Sequence, residues 1–587
     1  MLKQLFTNKY IKFTSLFLFS LFLHAWSLRH RFYDFDPYYL LLESLFFLSF
    51  NLIVIHLLRH KALCSFVISV AGFFMMLLFR YRVNTQSNFN FSLGFDNFKL
   101  LFNMSSLEVV GARVRLFDLC LSLAVFVCLF IYHQKAYSVK LKISKILTSL
   151  ASSFVLITFF QRILLNNPFV YFVTSMGDYF FPPKFYSENL VIPKEKGSYV
   201  QGNKFNVGKN NLLILTLESF NNDYLNKTTS DGREITPVMN SLYKSKENLS
   251  IYPFFANSVQ TIKGQFSIYC GRIPLEKGKA SYAVNIKKLR CLPDILKSQG
   301  LETYFYQTFT DFRFDNTMEF LTDAGFTKVE SSEKYLGGLD EFIWGWGLQD
   351  DKSYEIFLQN IKNLRKENGG NKPIFASMIS LSHHMNFKVP QNLSFLFKHP
   401  KSFQERFLNS LHLSDRFLKR FVEIIQEDPF FKDWLIVITG DHSYPSGVNG
   451  VTSNEDGFFP EQFSIPFVIM NMGDLKDRVE KDSTFSQVNI LPTAIELLNL
   501  DGNIEVSNQA SIFSENLQKH QIIIQPYDGK RIGFISKNEL YSLYTDRKKA
   551  YRMNLSSQKV EEVDLKSIQS LYDDYHIKQT QNDRFLR

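Results

Sequence analysis

The first third of the chain is apolar in long blocks, whereas the remainder alternates short apolar runs with amphipathic stretches. Before residue 170, five apolar stretches lie at 13–28, 38–58, 62–79, 116–132 and 146–164. Each approaches or reaches the ~20 residues a helix needs to cross a bilayer. Short basic breaks separate them, and together they are too long for a signal peptide. The pattern predicts a five-helix transmembrane domain over 1–165. Lys and Arg near the span ends set its orientation. With the N-terminus inside, the cytoplasmic segments hold Lys3, Lys9, Lys12, Arg59, Lys61, Lys135, Lys140, Lys142 and Lys145. Arg29 and Arg31, beside Asp34 and Asp36, then fall outside with the 80–115 loop. An odd number of spans puts everything after residue 170 outside the cytoplasm. Glu43 falls within the second span, where a carboxylate is costly, and is read as lying near the outer interface. Residues 166–205 hold Pro168, Pro182, Pro183 and Pro193 and read as a juxtamembrane connector with short helices.

At Asn211 the pattern changes. The run 211–217, NLLILTL, has the unbroken apolar character of a buried parallel strand. Stretches 373–381, 434–439 and 466–470 look the same, and helical patterns at 289–299, 312–324, 353–365 and 411–426 alternate with them. Such alternation predicts an α/β fold, a mixed sheet sandwiched by helices over 206–510. Ligands gather at the carboxyl ends of strands in such sheets, and that is where three polar clusters sit. They are Glu218, the Gly440-Asp441-His442 turn, and Ser382-His383-His384. Carboxylate oxygen and imidazole nitrogen suit a divalent ion such as zinc or manganese. Taken alone, a Glu after a strand is more often a helix N-terminal charge, and a lone Thr more often a helix cap. Beyond residue 510, short strands are expected at 522–525, 531–535 and 539–544. Residues 511–587 thus read as a small strand subdomain with a polar, fraying tail, carrying no catalytic residue.

Composition narrows the class further. Of 587 residues, 45% are hydrophobic and 21% charged, which excludes a mostly disordered chain. The net charge of +10 comes without a zinc finger, an RNA-reading motif or a dense Arg stripe. With apolar spans upstream it points to anionic lipid and away from nucleic acid. Five cysteines are too few for a disulfide scaffold. Cys64, Cys120 and Cys128 lie in apolar runs, while Cys270 and Cys291 lie in the polar region and either pair or stay free.

These residues carry a resemblance. The chain resembles the membrane-anchored branch of the alkaline phosphatase and sulfatase superfamily, and above all lipoteichoic acid synthases and periplasmic phosphoglycerol transferases. More distantly it is similar to lipid A phosphoethanolamine transferases. Leu217-Glu218-Ser219 matches the acidic ligand that ends the family's first strand, and Thr261, in NSVQTIKGQF, matches the nucleophile at a helix start. Gly271-Arg272-Ile273-Pro274 resembles the stretch after the sulfatase nucleophile and sets that register. Gly440-Asp441-His442 matches the second metal motif. Ser382-His383-His384-Met385-Asn386-Phe387 matches a substrate-side motif, Ser-x-His-x-Pro-aromatic, with Asn386 in place of Pro. Asn489, in SQVNILPT, stands where the family often has Asp. Arg313, among Phe309, Phe312 and Phe314, matches a substrate-binding Arg only loosely in spacing.

The resemblance implies one divalent ion, Mn2+ or Zn2+, held by Glu218, Thr261, Asp441 and His442. It implies Thr261 as nucleophile, His384 as catalytic and substrate-binding, and His383 and Arg313 as substrate-binding. The implied reaction moves a phosphoglycerol headgroup from phosphatidylglycerol, through phospho-threonine, to a glycan or polyglycerol acceptor. Its setting would be the bacterial cytoplasmic (inner) membrane, with the catalytic domain outside. Alternatives are a phosphoethanolamine transferase acting on lipid A or a surface glycan, a hydrolase passing the group to water, and a non-catalytic membrane scaffold. Around Thr261 the Cys and Arg of a sulfatase motif are missing, so sulfate ester hydrolysis is not expected.

Overall fold

The computed structural model describes residues 18–26 in part, 37–58, 60–85, 116–136, 145–161, 167–181 and, with interruptions of one to four residues, 184–586. The chain divides into two compact units, one over 1–183 and one over 184–587 apart from a short segment near 528.

In the first unit the apolar blocks are helical: α1 (Pro37–Leu57), α2 (Lys61–Thr85), α3 (Leu116–Ala136) and α4 (Lys145–Gln161). A further helix, α5 (Pro168–Phe180), follows. Pro168 fits its first turn, where the missing N–H costs nothing, and Asn167 caps it by accepting from the Phe169 and Val170 amides. Among the described residues one helix, Ala62–Val83, is long and apolar enough to span a membrane. Leu41–Val54, Phe117–Tyr132 and Thr148–Ile157 are shorter apolar stretches. Most of the expected first span and the 86–115 loop lie outside the described residues. Glu43 is buried and accepts a hydrogen bond from Asn167 Nδ2, so its carboxylate meets a polar partner inside the helical unit.

The second unit is built on a seven-stranded sheet. Its strands in chain order are β1 (Asn211–Leu217), β2 (Leu249–Ser250), β3 (Glu302–Gln307), β4 (Lys328–Ser331), β5 (Ile374–Ile379), β6 (Trp434–Gly440) and β7 (Phe467–Ile469). Their spatial order is β2-β7-β6-β1-β5-β3-β4. β6, β1, β5, β3 and β4 run parallel, and β7 joins antiparallel to β6. Successive residues of β1 face opposite cores. Leu212 and Ile214 enter one apolar cluster, and Leu213, Leu215 and Leu217 enter the other. Both faces are therefore apolar, which is why the strand reads as a continuous apolar run. Helices cover each face, among them α6 (Thr261–Cys270), α7 (Asp350–Glu367) and α8 (Phe403–Glu427). The last opens with a capping box in which Ser402 accepts from the Glu405 amide and Glu405 accepts from the Ser402 amide.

Two features depart from the sequence reading. β3 and β4 were not anticipated, because ETYFYQ and KVES lack an unbroken aliphatic run. The tail does not fray. Five strands, at 521–525, 531–535, 539–544, 549–554 and 560–563, form an antiparallel meander. A long helix, Gln569–Leu586, then docks through buried Tyr572, Tyr575 and Leu586. Tyr575 donates to Glu276, and Asn582 accepts from Arg272. Cys270 and Cys291 form a disulfide that ties the end of α6 to the start of the helix Leu292–Ser298.

Candidate active site

The site forms where β1 and β6, parallel neighbours in register, end side by side. Leu217 pairs with Gly440, so the residues that follow, Glu218 and Asp441, emerge together. Each turn is held by its surroundings. Ser380 Oγ accepts from the Glu218 amide at 2.9 Å, and Asp441 Oδ1 accepts from the Ser219 amide at 2.9 Å. Ser219, at φ 54°, also donates its hydroxyl to Glu218 Oε1 at 2.7 Å. Gln487 donates to the carbonyls of Gly440 (2.8 Å) and Asp441 (2.6 Å), pinning the second turn from behind.

Thr261 is the first residue of α6, and its hydroxyl stands 3.4 Å from Glu218 Oε2 and 3.5 Å from His442 Nε2. The segment before it is fixed by the C-terminal meander. Ser258 Oγ donates to the Ile524 carbonyl, and the Ile524 amide donates to the Asn257 carbonyl. Gly264 lets α6 lie against the Asp441 backbone: a Cβ there would sit 2.0 Å from the Asp441 carbonyl oxygen.

Glu218, Asp441 and His442 are all buried and offer one ligand atom each within 4.8 Å of one another. His442 donates Nδ1–H to the Ser443 carbonyl at 2.9 Å, which leaves the Nε2 lone pair facing Glu218 and Asp441. Asp441 Oδ2 is buried with no hydrogen-bond partner. Burial and the neighbouring Asp441 charge push the Glu218 carboxyl well above the usual range. Two buried carboxylates with an orphaned oxygen and an inward imidazole lone pair are costly without a cation between them. The donor set fits a divalent ion with oxygen and nitrogen ligands.

His384 lines the same small cavity as Glu218 and Thr261, packed 4.5 Å from the Trp346 ring. Burial lowers its imidazole to about 4, so it is neutral near pH 7. Its Nδ1 lies 3.4 Å from the Met385 carbonyl. His383 is placed elsewhere. It is fully buried, tilted against the Phe387 ring and edge-on to Phe407, with Nδ1 on Ser410 Oγ at 3.1 Å. Adjacent residues on a turn point in opposite directions, and here His384 takes the cavity and His383 the core. Arg313 lies outside the described residues.

The two departures from the family pattern have local reasons. Asn386 has φ 81°, which a proline ring cannot adopt. Asn489 accepts from the Ser486 amide and donates to the Ala510 carbonyl, a pair of roles an Asp cannot fill. Sequence reading missed Ser219, Ser380, Gln487, Trp346 and Asp350. The last is buried at the start of α7 and accepts from the Leu381 and Ser382 amides, fixing the turn that carries His384.

A parallel sheet that delivers paired acids and an imidazole to a hydroxyl at a helix N-terminus defines an alkaline-phosphatase-type α/β domain. Residues 210–500 match the sulfatase family, and the chain carries a sulfatase-family domain. Among curated proteins, the lipoteichoic acid synthase-like YvgJ of Bacillus subtilis (strain 168) is 22% identical over 333 residues, covering 52% of this chain and 50% of that protein. Phosphoglycerol transferase I of Escherichia fergusonii is 24% identical over 241 residues, covering 40% of this chain and 31% of that protein. The chain spans about half the length, or less, of these relatives. Among solved structures, the integral membrane protein lipooligosaccharide phosphoethanolamine transferase A of Neisseria meningitidis superposes with a TM-score of 0.51 at 12% identity, over 87% of this chain and 96% of that one.

Proposed function

We propose that this protein transfers a phosphoglycerol headgroup from phosphatidylglycerol to a glycan or polyglycerol acceptor, with Thr261 as the covalent carrier. The observation that carries the reading is the Thr261 hydroxyl, set at a helix N-terminus within 3.5 Å of both Glu218 and His442. Glu218, Thr261, Asp441 and His442 are the residues that would hold one divalent ion, Mn2+ or Zn2+. Such an ion supplies positive charge that lowers the hydroxyl's pKa and offsets phosphoryl charge.

Thr261 Oγ1 attacks the headgroup phosphorus, and the phosphorus–oxygen bond to diacylglycerol breaks. The threonine proton is carried by His384, whose neutral ring takes it up and hands it to the diacylglycerol oxygen. In the second half the acceptor hydroxyl attacks the same phosphorus, His384 takes the acceptor's proton, and Thr261 regains its own. The N-terminal end of α6, where Thr261 sits, would favour the phosphate's charge. The relatives' names support phosphoglycerol chemistry, and the apolar helices support a multi-pass anchor in a bacterial cytoplasmic membrane. Such an anchor raises the effective concentration of lipid at the site.

Purified chain with Mn2+ and labelled phosphatidylglycerol vesicles provides the test. Diacylglycerol release and labelled acceptor are expected, both lost in Thr261→Ala. Release in which the label goes to water alone would replace transferase with hydrolase. No release under any metal would remove the reading.

A further inference from the structure

A second hollow, of about 560 Å³, opens in the catalytic unit and shares no lining residue with the cavity of Glu218 and Thr261. Its volume falls in the range of sites that hold small-molecule ligands. Residues between 198 and 204, residues between 489 and 521, and the helix Gln569–Leu586 supply its walls. Apart from Asn489 and Glu496, every lining residue lies outside 210–500, the stretch that matches the sulfatase family. The flanks of the catalytic domain therefore build most of it.

The lining narrows the ligand. Its four charged residues stand as two ion pairs, Lys204 with Glu496 at 2.8 Å and Lys578 with Asp574 at 2.9 Å. Ser511 donates to the other Glu496 oxygen, and Lys578 also donates to Gln518 Oε1 at 2.9 Å. Buried Gln521 accepts from Ser486 Oγ and donates to the Thr484 carbonyl, each at 2.7 Å. No lining cation is left over for a phosphate, and no carboxylate for an ammonium. A charged ligand would lose water there without gaining a counter-charge. Among the lining residues only Val200, Ala510 and Leu517 lack a polar side-chain group, so an acyl chain has little to lie against. The rim differs from the floor. Tyr199, Gln201 and Asn503 stand on the exposed face of the antiparallel ribbon Ser198–Gln201 and Asn503–Val506, whose other face buries Val200 and Ile504. Among the described residues, no side-chain hydrogen bond engages the amides of Gln201, Asn503 and Gln509 or the Tyr199 hydroxyl.

We propose that this hollow is a binding site for a neutral oligosaccharide, outside the reaction centre. A carboxamide offers both donors and an acceptor, so Gln201, Asn503 and Gln509 can each accept from one sugar hydroxyl and donate to another. The Tyr199 ring, 68% exposed, gives a sugar ring an apolar face to lie on and keeps a polar tip for its hydroxyls. The ion-paired and hydrogen-bonded floor holds its shape without a ligand, which lowers the ordering cost of binding. The proposal goes beyond headgroup transfer. It gives the chain a hold on a glycan where no bond is made or broken, and it does not depend on the chemistry at Thr261.

The test is titration calorimetry of the full chain in detergent with three neutral trisaccharides, maltotriose, laminaritriose and gentiotriose, and with anionic glycerol phosphate oligomers. At least one trisaccharide is expected to bind with a Kd below about 1 mM. Its affinity should stay within about twofold when the salt is raised from about 0.05 to about 0.5 M, because a neutral ligand is not screened. Tyr199→Ala and Gln509→Ala should each weaken it about 5- to 10-fold. An unchanged melting temperature in both would show that these surface variants are folded. Thr261→Ala should bind the sugar as the wild type does. No binding of any of the three, binding of the glycerol phosphate oligomers alone, or undiminished affinity in Tyr199→Ala and Gln509→Ala would overturn the assignment. Loss of sugar binding in Thr261→Ala would place the sugar in the reaction cavity and overturn it as well. Absence of headgroup transfer with the expected sugar binding would leave this site standing and remove the transferase reading alone.

Discussion

On the wall formed by the ends of β1 and β6, the turns that carry Glu218 and Asp441 are held by neighbours: Ser380 and Ser219 on one side, Gln487 on the other. The facing wall, which includes Gln307, Phe309, Phe314, Asp315, Thr317 and Trp346, is irregular, and Asp315 and Asn316 both adopt φ 55°. There Gln307 Nε2, and beside it on α6 Gln265 Oε1, lack partners, whereas on the strand-end wall the orphaned atom is a carboxylate oxygen, Asp441 Oδ2. The difference teaches a division of labour. A pre-set wall positions charge for chemistry, where a small displacement costs rate. A wall of unpaired neutral groups waits for a ligand to complete it. Backbone held at positive φ in non-glycine residues is a cost that concentrates at such functional loops.

The comparison breaks most sharply at Thr261. Thr261→Ala should lower turnover by more than about 10³-fold, because a nucleophile has no substitute, while Mn2+-induced thermal stabilisation persists in part through Glu218, Asp441 and His442. Next comes the support of the pre-set wall. Gln487→Leu removes both bonds to the Gly440 and Asp441 carbonyls without touching a ligand atom. Metal affinity by calorimetry should fall about 10- to 100-fold. A smaller effect is expected at Asp350, whose carboxylate holds two buried amides of the His384 turn. Asp350→Ala should destabilise the domain by about 3 kcal/mol in a denaturant titration, with a loss of turnover as His384 shifts.

The smallest effect at neutral pH distinguishes the two histidines. Burial pushes His383 down to about 3, against about 6.5 in an unfolded chain. The folded state therefore binds fewer protons. The stability this provides is complete above about pH 6.5 and is lost as pH falls towards 3, at up to about 1.4 kcal/mol per pH unit. In His383→Leu, stability measured between pH 6.5 and 4 should fall less steeply than in the wild type, and glycerol phosphate binding at pH 7.5 should not change.

The strand-end wall was legible in the sequence because its signal is local: an apolar run ending in Glu218, another ending in Gly440-Asp441-His442. The facing wall was not, since Gln265, Gln307 and Trp346 belong to no periodic pattern and meet only through tertiary folding. The resemblance gave both His383 and His384 a place at the substrate, and it is the turn's geometry that sends His384 into the cavity and His383 into the core. β3 was hidden because ETYFYQ is buried through aromatic rings and polar ends. In the tail only a short helix was expected, and its full length and docking were hidden because the buried Tyr572, Tyr575 and Leu586 are spaced among charged residues. The apolar helices of the first unit were plain in outline, and there large apolar side chains, Phe117 at 64% and Leu150 at 63%, are exposed.

The most direct measurement is mass spectrometry of the purified chain after incubation with phosphatidylglycerol and Mn2+, with no acceptor present. A glycerophosphoryl group on the peptide that contains Thr261, discharged when a polyglycerol or glycan acceptor is added, is the predicted result. Sustained acceptor labelling with that peptide always unmodified, or a Thr261→Ala chain that still transfers the headgroup, would contradict it.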